Sequence, residues 1–152
     1  MDAMSEPALR PTPSPTSAPR ALEAALDRVG DRWSLLVVAA LLDGSRRFGE
    51  LQGLLPGIAA NILTDRLRRL EREGILVGRP YQHRPLRVEY TLTADGRDLA
   101  GALRLLADWG GRRSDHEPLR HELCGTPLEA RWYCPTCALP VDEHEAPTTR
   151  VV

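Results

Sequence analysis

The chain contains no lysine: every one of its 20 basic residues is arginine. Any contact with phosphate must therefore be made by planar guanidinium forks rather than by ammonium point charges. A long apolar run is also missing. The longest, Leu35 to Leu42, falls far short of the roughly 20 residues that span a bilayer, and no basic start followed by an apolar stretch opens the chain. Neither a membrane anchor nor a secretory leader is expected, and the expected location is the cytoplasm. No cysteine precedes position 124, and the 3 cysteines all fall within HELCGTPLEARWYCPTC, residues 121 to 137. Thiols clustered in this way, in a reducing compartment, argue against a disulfide framework and for metal or redox chemistry. There is no phosphate-cradling glycine loop and no nucleophile-base constellation, so an enzyme is not expected.

What is present sorts by segment. At 152 residues, 42% apolar and 27% charged, the chain suits one soluble main domain with room for a small appendage. Residues 1–19 hold prolines 7, 11, 13, 15 and 19 and almost no large apolar side chain, too little to offset the entropy of ordering. They read as a flexible tail, as do 147–152. From Ala21 onward, Leu22, Ala25, Leu26 and Val29 recur at helical spacing until Gly30 stops the run. Asp31 is placed to cap a second helix, Arg32 to Leu42, apolar nearly all round and so expected at the centre of the core. After the polar turn SRR, Gly49 is the expected cap of a short helix, GELQGLL, which Pro56-Gly57 ends. A longer helix from about Ala59 to Glu73 carries Leu63, Leu67 and Leu70 on one stripe. ILVGRPY and LRVEYTLT read as strands joined around QHRP, and Thr93 caps a last helix, Ala94 to about Arg113. Two helices across a tight turn, followed by a hairpin, describe a winged helix-turn-helix. The expected fold is α+β, mainly α, over residues 20–113, with a small zinc-ribbon-like β appendage at 114–146.

Charge is distributed to match. Between Gly44 and Thr91, arginines 46, 47, 66, 68, 69, 72, 79, 84 and 87 outnumber the acids at 50, 65, 71, 73 and 89. A basic region confined to the second helix of the motif, the turn and the wing is the electrostatic footprint of a duplex-binding module, although a solvated charged face would show the same surplus. In such a module the start of the second helix enters the major groove, here with Ala60, Asn61, Thr64 and Asp65, and Arg68 one turn on. Asn61 suits an adenine edge, and Thr64 offers a hydroxyl and a methyl. Arg46 and Arg47, before the motif, and Arg84 and Arg87, at the wing, suit phosphate contacts. Arg66 and Arg69 have Glu71 and Glu73 as alternative partners on the helix surface.

The elements G-x-x-W, R-F-x-E-L, L-P-G-I, L-T-x-R-L-x-x-L-E-x-x-G and V-E-Y-x-L-T stand in this order from Gly30 to Thr93. With them the chain resembles the HxlR-type winged-helix transcriptional regulators, relatives of the MarR group, over most of residues 21–110. The resemblance implies sequence-specific binding of double-stranded DNA by a homodimer, on an inverted-repeat operator, with the first and last helices forming the interface. The stripes Leu22, Leu26, Val29 and Leu99, Leu103, Leu106, Trp109 fit that role, with packing inside one subunit as the alternative. Two positions depart from the family pattern. Ala59 stands where a serine-like cap is usual, and Arg20 stands where many members carry a sensing cysteine, so thiol sensing is not carried over. No small-molecule effector is identified.

In the cysteine window, His121-x2-Cys124 and Cys134-x2-Cys137 have the spacing that folds both donors of a loop onto one face of a tetrahedral metal. A structural zinc ion held by these side chains is the expectation. Gly125 allows the turn after the first loop, TPLEARWY is expected to form a short hairpin between the loops, and Leu128, Trp132 or Tyr133 are available to cover the metal. His116 and His144 are alternative donors to His121. A redox pair made by Cys134 and Cys137 stays open, and with it a redox- or zinc-responsive regulator. A zinc-ribbon protein-interaction module that does not bind DNA is the reading from a different class. A catalytic zinc is not expected, because the protein would fill all positions and no H-E-x-x-H is present.

Overall fold

The computed structural model of the chain describes residues 17–84, 86–112 and 117–141. Its elements follow in the order α1 (Ser17–Val29), α2 (Arg32–Leu41), β1 (Arg46–Arg47), α3 (Phe48–Leu54), α4 (Ala60–Arg72), β2 (Leu76–His83), β3 (Leu86–Leu92), α5 (Ala94–Gly111), β4 (Trp132–Cys134) and β5 (Leu139–Val141). The chain divides into two compact units, one running from Ala25 to Ala130 and the other taking the described residues on either side. Among the described residues no helix is long and apolar enough to cross a membrane.

The core of the larger unit forms where the helical stripes meet. Leu63, Leu67 and Leu70 of α4 are sealed from solvent together with Leu51 of α3 and Val37 and Val38 of α2. At about 1.5–3 kcal/mol for each fully buried aliphatic side chain, this stripe is what seats α4. Asp31 starts α2 as its sequence position implies, its carboxylate accepting from the N–H groups of Trp33 at 3.1 Å and Ser34 at 3.0 Å. Ser34 is the buried polar side chain of this core, and its hydroxyl is satisfied by donating to Asp31 at 2.5 Å.

The sheet has the order β1-β3-β2, antiparallel throughout. Arg46 lies opposite Tyr90 and Arg47 opposite Glu89. The β2–β3 pairing shifts register between Pro80 and Gln82, leaving Tyr81 as the extra residue of a bulge. Beyond β3, the Thr93 hydroxyl accepts from Gly96 N–H at 3.1 Å and donates to the Gly74 carbonyl at 2.6 Å, so one side chain both caps α5 and anchors it to the end of α4. Gly96 permits this approach, because a Cβ there would collide with the Ile75 carbonyl oxygen.

Several boundaries differ from the sequence expectation. α1 begins at Ser17, so residues 17–19 are helical rather than part of a tail; the remainder of the expected tails, residues 1–16 and 147–152, lies outside the described residues. The cap of α3 is Arg47 and not Gly49. Phe48 opens the helix, and the Glu50 carboxylate reaches back to accept from Arg47 N–H at 2.7 Å. The SRR turn contributes strand β1, and α5 ends at Gly111. Ala59 caps α4 without a side-chain hydrogen bond, as its methyl requires.

Candidate nucleic-acid interface

Burying Leu63, Leu67 and Leu70 turns the other side of α4 outward. Ala60, Asn61, Asp65 and Arg68 are exposed there, and Thr64 is half-buried. The Thr64 hydroxyl donates to the Ala60 carbonyl at 2.8 Å, so its proton is committed to the helix while its lone pairs and methyl stay presented. The start of α4 thus offers an amide, a methyl and a carboxylate, with a guanidinium one turn on.

Strand β1 joins what the sequence kept apart. Pairing with β3 places Arg46 and Arg47 on the same sheet as the wing residue Arg87, with Arg84 in the turn that joins β2 to β3, and Arg47, Arg84 and Arg87 are exposed. The Arg47 guanidinium lies over the Tyr81 ring, 4.6 Å from its centroid. An open cavity of about 550 Å³ sits here, lined by Arg47, Glu50, Tyr81, Arg87 and Tyr90 among others. Burial, with the nearby Glu71 carboxylate, pushes the Tyr90 phenol above its ordinary value. Tyr81 was not singled out from the sequence. Its place in an alternating strand carries a weak signal, and the bulge that turns it toward Arg47 carries none.

Arg66 and Arg69 pair neither with Glu71 nor with Glu73. Arg66 Nε lies 3.0 Å and an Arg69 guanidinium nitrogen 3.7 Å from the Asp31 carboxylate, and Arg69 also donates to the Asp27 carbonyl. The reason is steric: the flank of α4 that carries them faces the start of α2, so the carboxylate across the gap outcompetes same-helix partners. Burial acts to raise the Asp31 pKa. Hydrogen bonds from the Ser34 hydroxyl and N–H, with the charges of Arg66 and Arg69, outweigh it and hold the carboxyl below the usual aspartate value. Arg28 makes a parallel link, donating to Asp95 at 2.6 Å and to the Glu73 carbonyl at 2.8 Å, and so tying α1 to α4 and α5.

The residues expected at a subunit interface separate into groups. Val29 is 6% exposed and belongs to the core, which corrects its assignment to an interface: its side chain is consumed within one chain. Leu99 and Leu103 pack partly against that core. Leu22, Leu26, Leu106 and Trp109 are exposed, as is Leu105, which the expected stripe omitted.

In the larger unit, His121 and Cys124 come together with Nδ1 and Sγ 3.3 Å apart. In the other, Cys134 ends β4 and its sulfur is bonded by Cys137 and the Thr136 N–H, which hold the thiol below its ordinary range. The hairpin expected between the loops is replaced by a ladder at each loop: Arg120 bridges Pro127, and β4 pairs with β5. Leu128, Trp132 and Tyr133 are exposed. His116 and His144 lie outside the described residues. Among the described residues, no group of three His, Cys, Asp or Glu is gathered closely enough to hold a metal.

A helix seated on leucines, its polar side outward beside a three-stranded wing, invites comparison with known helix-turn-helix proteins. The pattern of the HxlR-like helix-turn-helix family matches residues 28–118. The chain belongs to this family. The HxlR-like chain is 42% identical over 118 residues to an uncharacterised HTH-type transcriptional regulator of Mycobacterium tuberculosis, covering 74% of each protein. Among solved structures it is similar to a MarR-family transcriptional regulator from Enterococcus faecalis V583, with 38% identity and a TM-score of 0.55 over 62% of this chain and 86% of that one. It is also similar to the redox regulator HypR in its oxidised form, with 34% identity and a TM-score of 0.59 over 63% of this chain and 99% of that one.

Proposed function

We propose that this HxlR-like chain is a cytoplasmic transcriptional regulator that binds double-stranded DNA sequence-specifically, as a homodimer on an inverted repeat. The observation that carries the reading is the placement of α4: its leucine stripe is buried, so Asn61, Thr64, Asp65 and Arg68 are held outward on a rigid helix beside a wing that gathers Arg46, Arg47, Arg84 and Arg87. The roles divide by chemistry. Asn61 pairs with an adenine edge through its amide, Thr64 receives a base donor or packs its methyl against thymine, and Arg68 reaches bases or backbone further along the groove. The wing and β1 arginines neutralise phosphates and set affinity and register. Arg66 and Arg69 hold α4 in place instead.

Selection of duplexes from a random pool by the full chain tests this, with an inverted repeat as the expected product. Recovery of no sequence over non-specific DNA at moderate salt overturns it in favour of a protein-binding winged helix. Asn61→Ala should cost about 1–3 kcal/mol on the selected site and little on random DNA. Arg84→Ala should weaken both alike and lower the slope of log affinity against log salt by about one unit.

A further inference from the structure

The two edges of the wing sheet are held by different means. The strand order β1-β3-β2 leaves β2 at an edge, where alternate N–H groups lack a strand partner. Gly78 N–H donates to the Glu71 carboxylate of α4 at 2.8 Å. Gly78 lies opposite Tyr90 of β3, and Tyr90 lies opposite Arg46 of β1 on its other side. One level of the sheet is therefore tied at both edges, to β1 by strand pairing and to α4 by a single side chain. The chain enters β2 from the core, with Ile75 and Leu76 each 2% exposed, whereas Arg79, Pro80, Tyr81 and Arg84 are exposed. Beyond Gly78 the hairpin has left the core, and the wing arginines Arg84 and Arg87 belong to that part.

Charge and sterics both favour this tie. Arg66 and Arg69 turn to Asp31, and the Glu71 carboxylate turns to the wing. A hydrogen bond accepted by a carboxylate is stronger than one between neutral groups. The close approach depends on the missing side chain at Gly78. A Cβ there would stand 2.8 Å from Glu71 Oε1, 2.9 Å from Val88 Cγ1 and 3.2 Å from Tyr90 Cε1. Of these atoms Oε1 ends the most flexible side chain, so the carboxylate would be the first to yield. The Tyr90 phenol senses the same neighbourhood: burial and then the Glu71 charge raise it, and Arg68 acts to lower it, so this side of α4 lies against the wing strands.

We infer that Glu71 is a positioning residue for DNA binding, its carboxylate fixing the wing against α4 so that Asn61 and the wing arginines meet one duplex together. The inference rests on the reading of α4 and the wing as the DNA-binding surface. The carboxylate has two effects of opposite sign. Its charge repels phosphate, while its hydrogen bond holds the wing ready. With the wing in position for only a third to a tenth of the time, affinity falls about three- to tenfold.

The test uses the full chain on its selected duplex. Glu71→Ala removes charge and acceptor, Glu71→Gln removes the charge alone, and Gly78→Ala keeps the carboxylate but displaces it. Glu71→Ala should bind about three- to tenfold more weakly with its helical circular dichroism unchanged, and Gly78→Ala should follow it. Glu71→Gln should bind at least as tightly as the unaltered chain, since its amide oxygen still accepts. Arg84→Ala should cost less in the Glu71→Ala background than in the unaltered chain, because a wing already out of place has less to lose. The Gly78 amide should be protected from hydrogen exchange in the unaltered chain and in Glu71→Gln, and should lose that protection in Glu71→Ala. Unchanged or tighter binding by Glu71→Ala overturns the inference, as does an unprotected Gly78 amide in the unaltered chain. If the unaltered chain selects no duplex, the DNA-binding reading falls and the positioning role with it. If it selects one and Arg84→Ala costs the same in both backgrounds, that reading stands and the positioning role alone falls.

Discussion

Asp31 accepts from Trp33, Ser34 and the Ser34 hydroxyl, and faces Arg66 and Arg69, so one carboxylate both starts α2 and fixes the flank of α4. Asp31→Asn keeps an acceptor for the cap but abandons the arginines. With all three side chains close to 30% exposed, each ion pair is worth the modest 0.2–1 kcal/mol of a screened pair, so the loss should be about 1 kcal/mol. Asp31→Ala should lose about another 1 kcal/mol with the cap. The sign with pH follows from the lowered pKa in the folded state. The stabilisation is fully present above the unfolded aspartate value of about 3.9 and is lost as pH falls through the folded value. The melting-temperature gap between the native chain and Asp31→Asn should therefore be widest near neutrality and close below about pH 4; a gap that widens on acidification counts against this account. Tyr81 makes a second prediction at this scale. Its ring holds the Arg47 guanidinium in place, a contact worth about 0.5–1 kcal/mol at an exposed site. Tyr81→Ala should weaken binding to cognate and random duplexes alike, by roughly two- to fivefold in anisotropy titrations, and Tyr81→Phe should restore it. Equal losses for the two variants would assign the effect to the hydroxyl.

The elements show which parts of this fold were legible in advance. α4 was, because Leu63, Leu67 and Leu70 stand at helical spacing and Gly74 ends the run. Strand β1 was not: a two-residue strand of arginines carries no alternation, and only its pairing with Tyr90 and Glu89 defines it. The partners of Arg66 and Arg69 were hidden for a related reason, since local spacing favoured Glu71 and Glu73 while Asp31 lies 35 residues or more away in sequence. Periodicity marked Val29 as apolar without telling core from interface, because burial in one chain and burial between chains require the same stripe. The candidate site was legible in its residue types, the outward amide and the arginines, but not in the bulge that leaves Tyr81 beneath Arg47. Helix α5 supplies the test at this scale through two glycines with opposite environments. A Cβ on Gly96 would meet the Ile75 carbonyl and Leu92 Cδ2, whereas one on Gly101 would meet nothing within 4 Å. Helix propensity favours alanine at either position by about 1 kcal/mol. At Gly96 the clash with backbone, of the 1–3 kcal/mol typical of overpacking or more, should win. Denaturant unfolding should show Gly96→Ala destabilised and Gly101→Ala neutral or stabilised; a stabilised Gly96→Ala would refute the close approach.

At the scale of the whole molecule, the exposed apolar side chains on α1 and α5 bear on assembly. Leu22, Leu26, Leu105, Leu106 and Trp109 are each more than 40% exposed, although both helices have other residues to turn to solvent. Burying an aliphatic side chain of this kind against a partner contributes about 1.5–3 kcal/mol, so a few such side chains per subunit approach the 8 kcal/mol of micromolar association. A charge placed there must be desolvated without a partner when the surface closes, and should prevent closure. If the proposed homodimer closes on this surface, Leu106→Glu and Trp109→Glu are expected to sediment as monomers at concentrations where the unaltered chain sediments as a dimer. Neither position touches the winged-helix core or the outward side of α4, so the variants should keep their helical signal and their weak affinity for a single half-site. What they should lose is the gain from an inverted repeat, where two recognition helices engage half-sites about 34 Å apart. Spreading the half-sites by five base pairs, half a helical turn, should cost the dimer most of its affinity and leave the monomeric variants unchanged. A Trp109→Glu chain that remains dimeric and still prefers the inverted repeat would place the interface elsewhere and return these side chains to the role of ordinary surface.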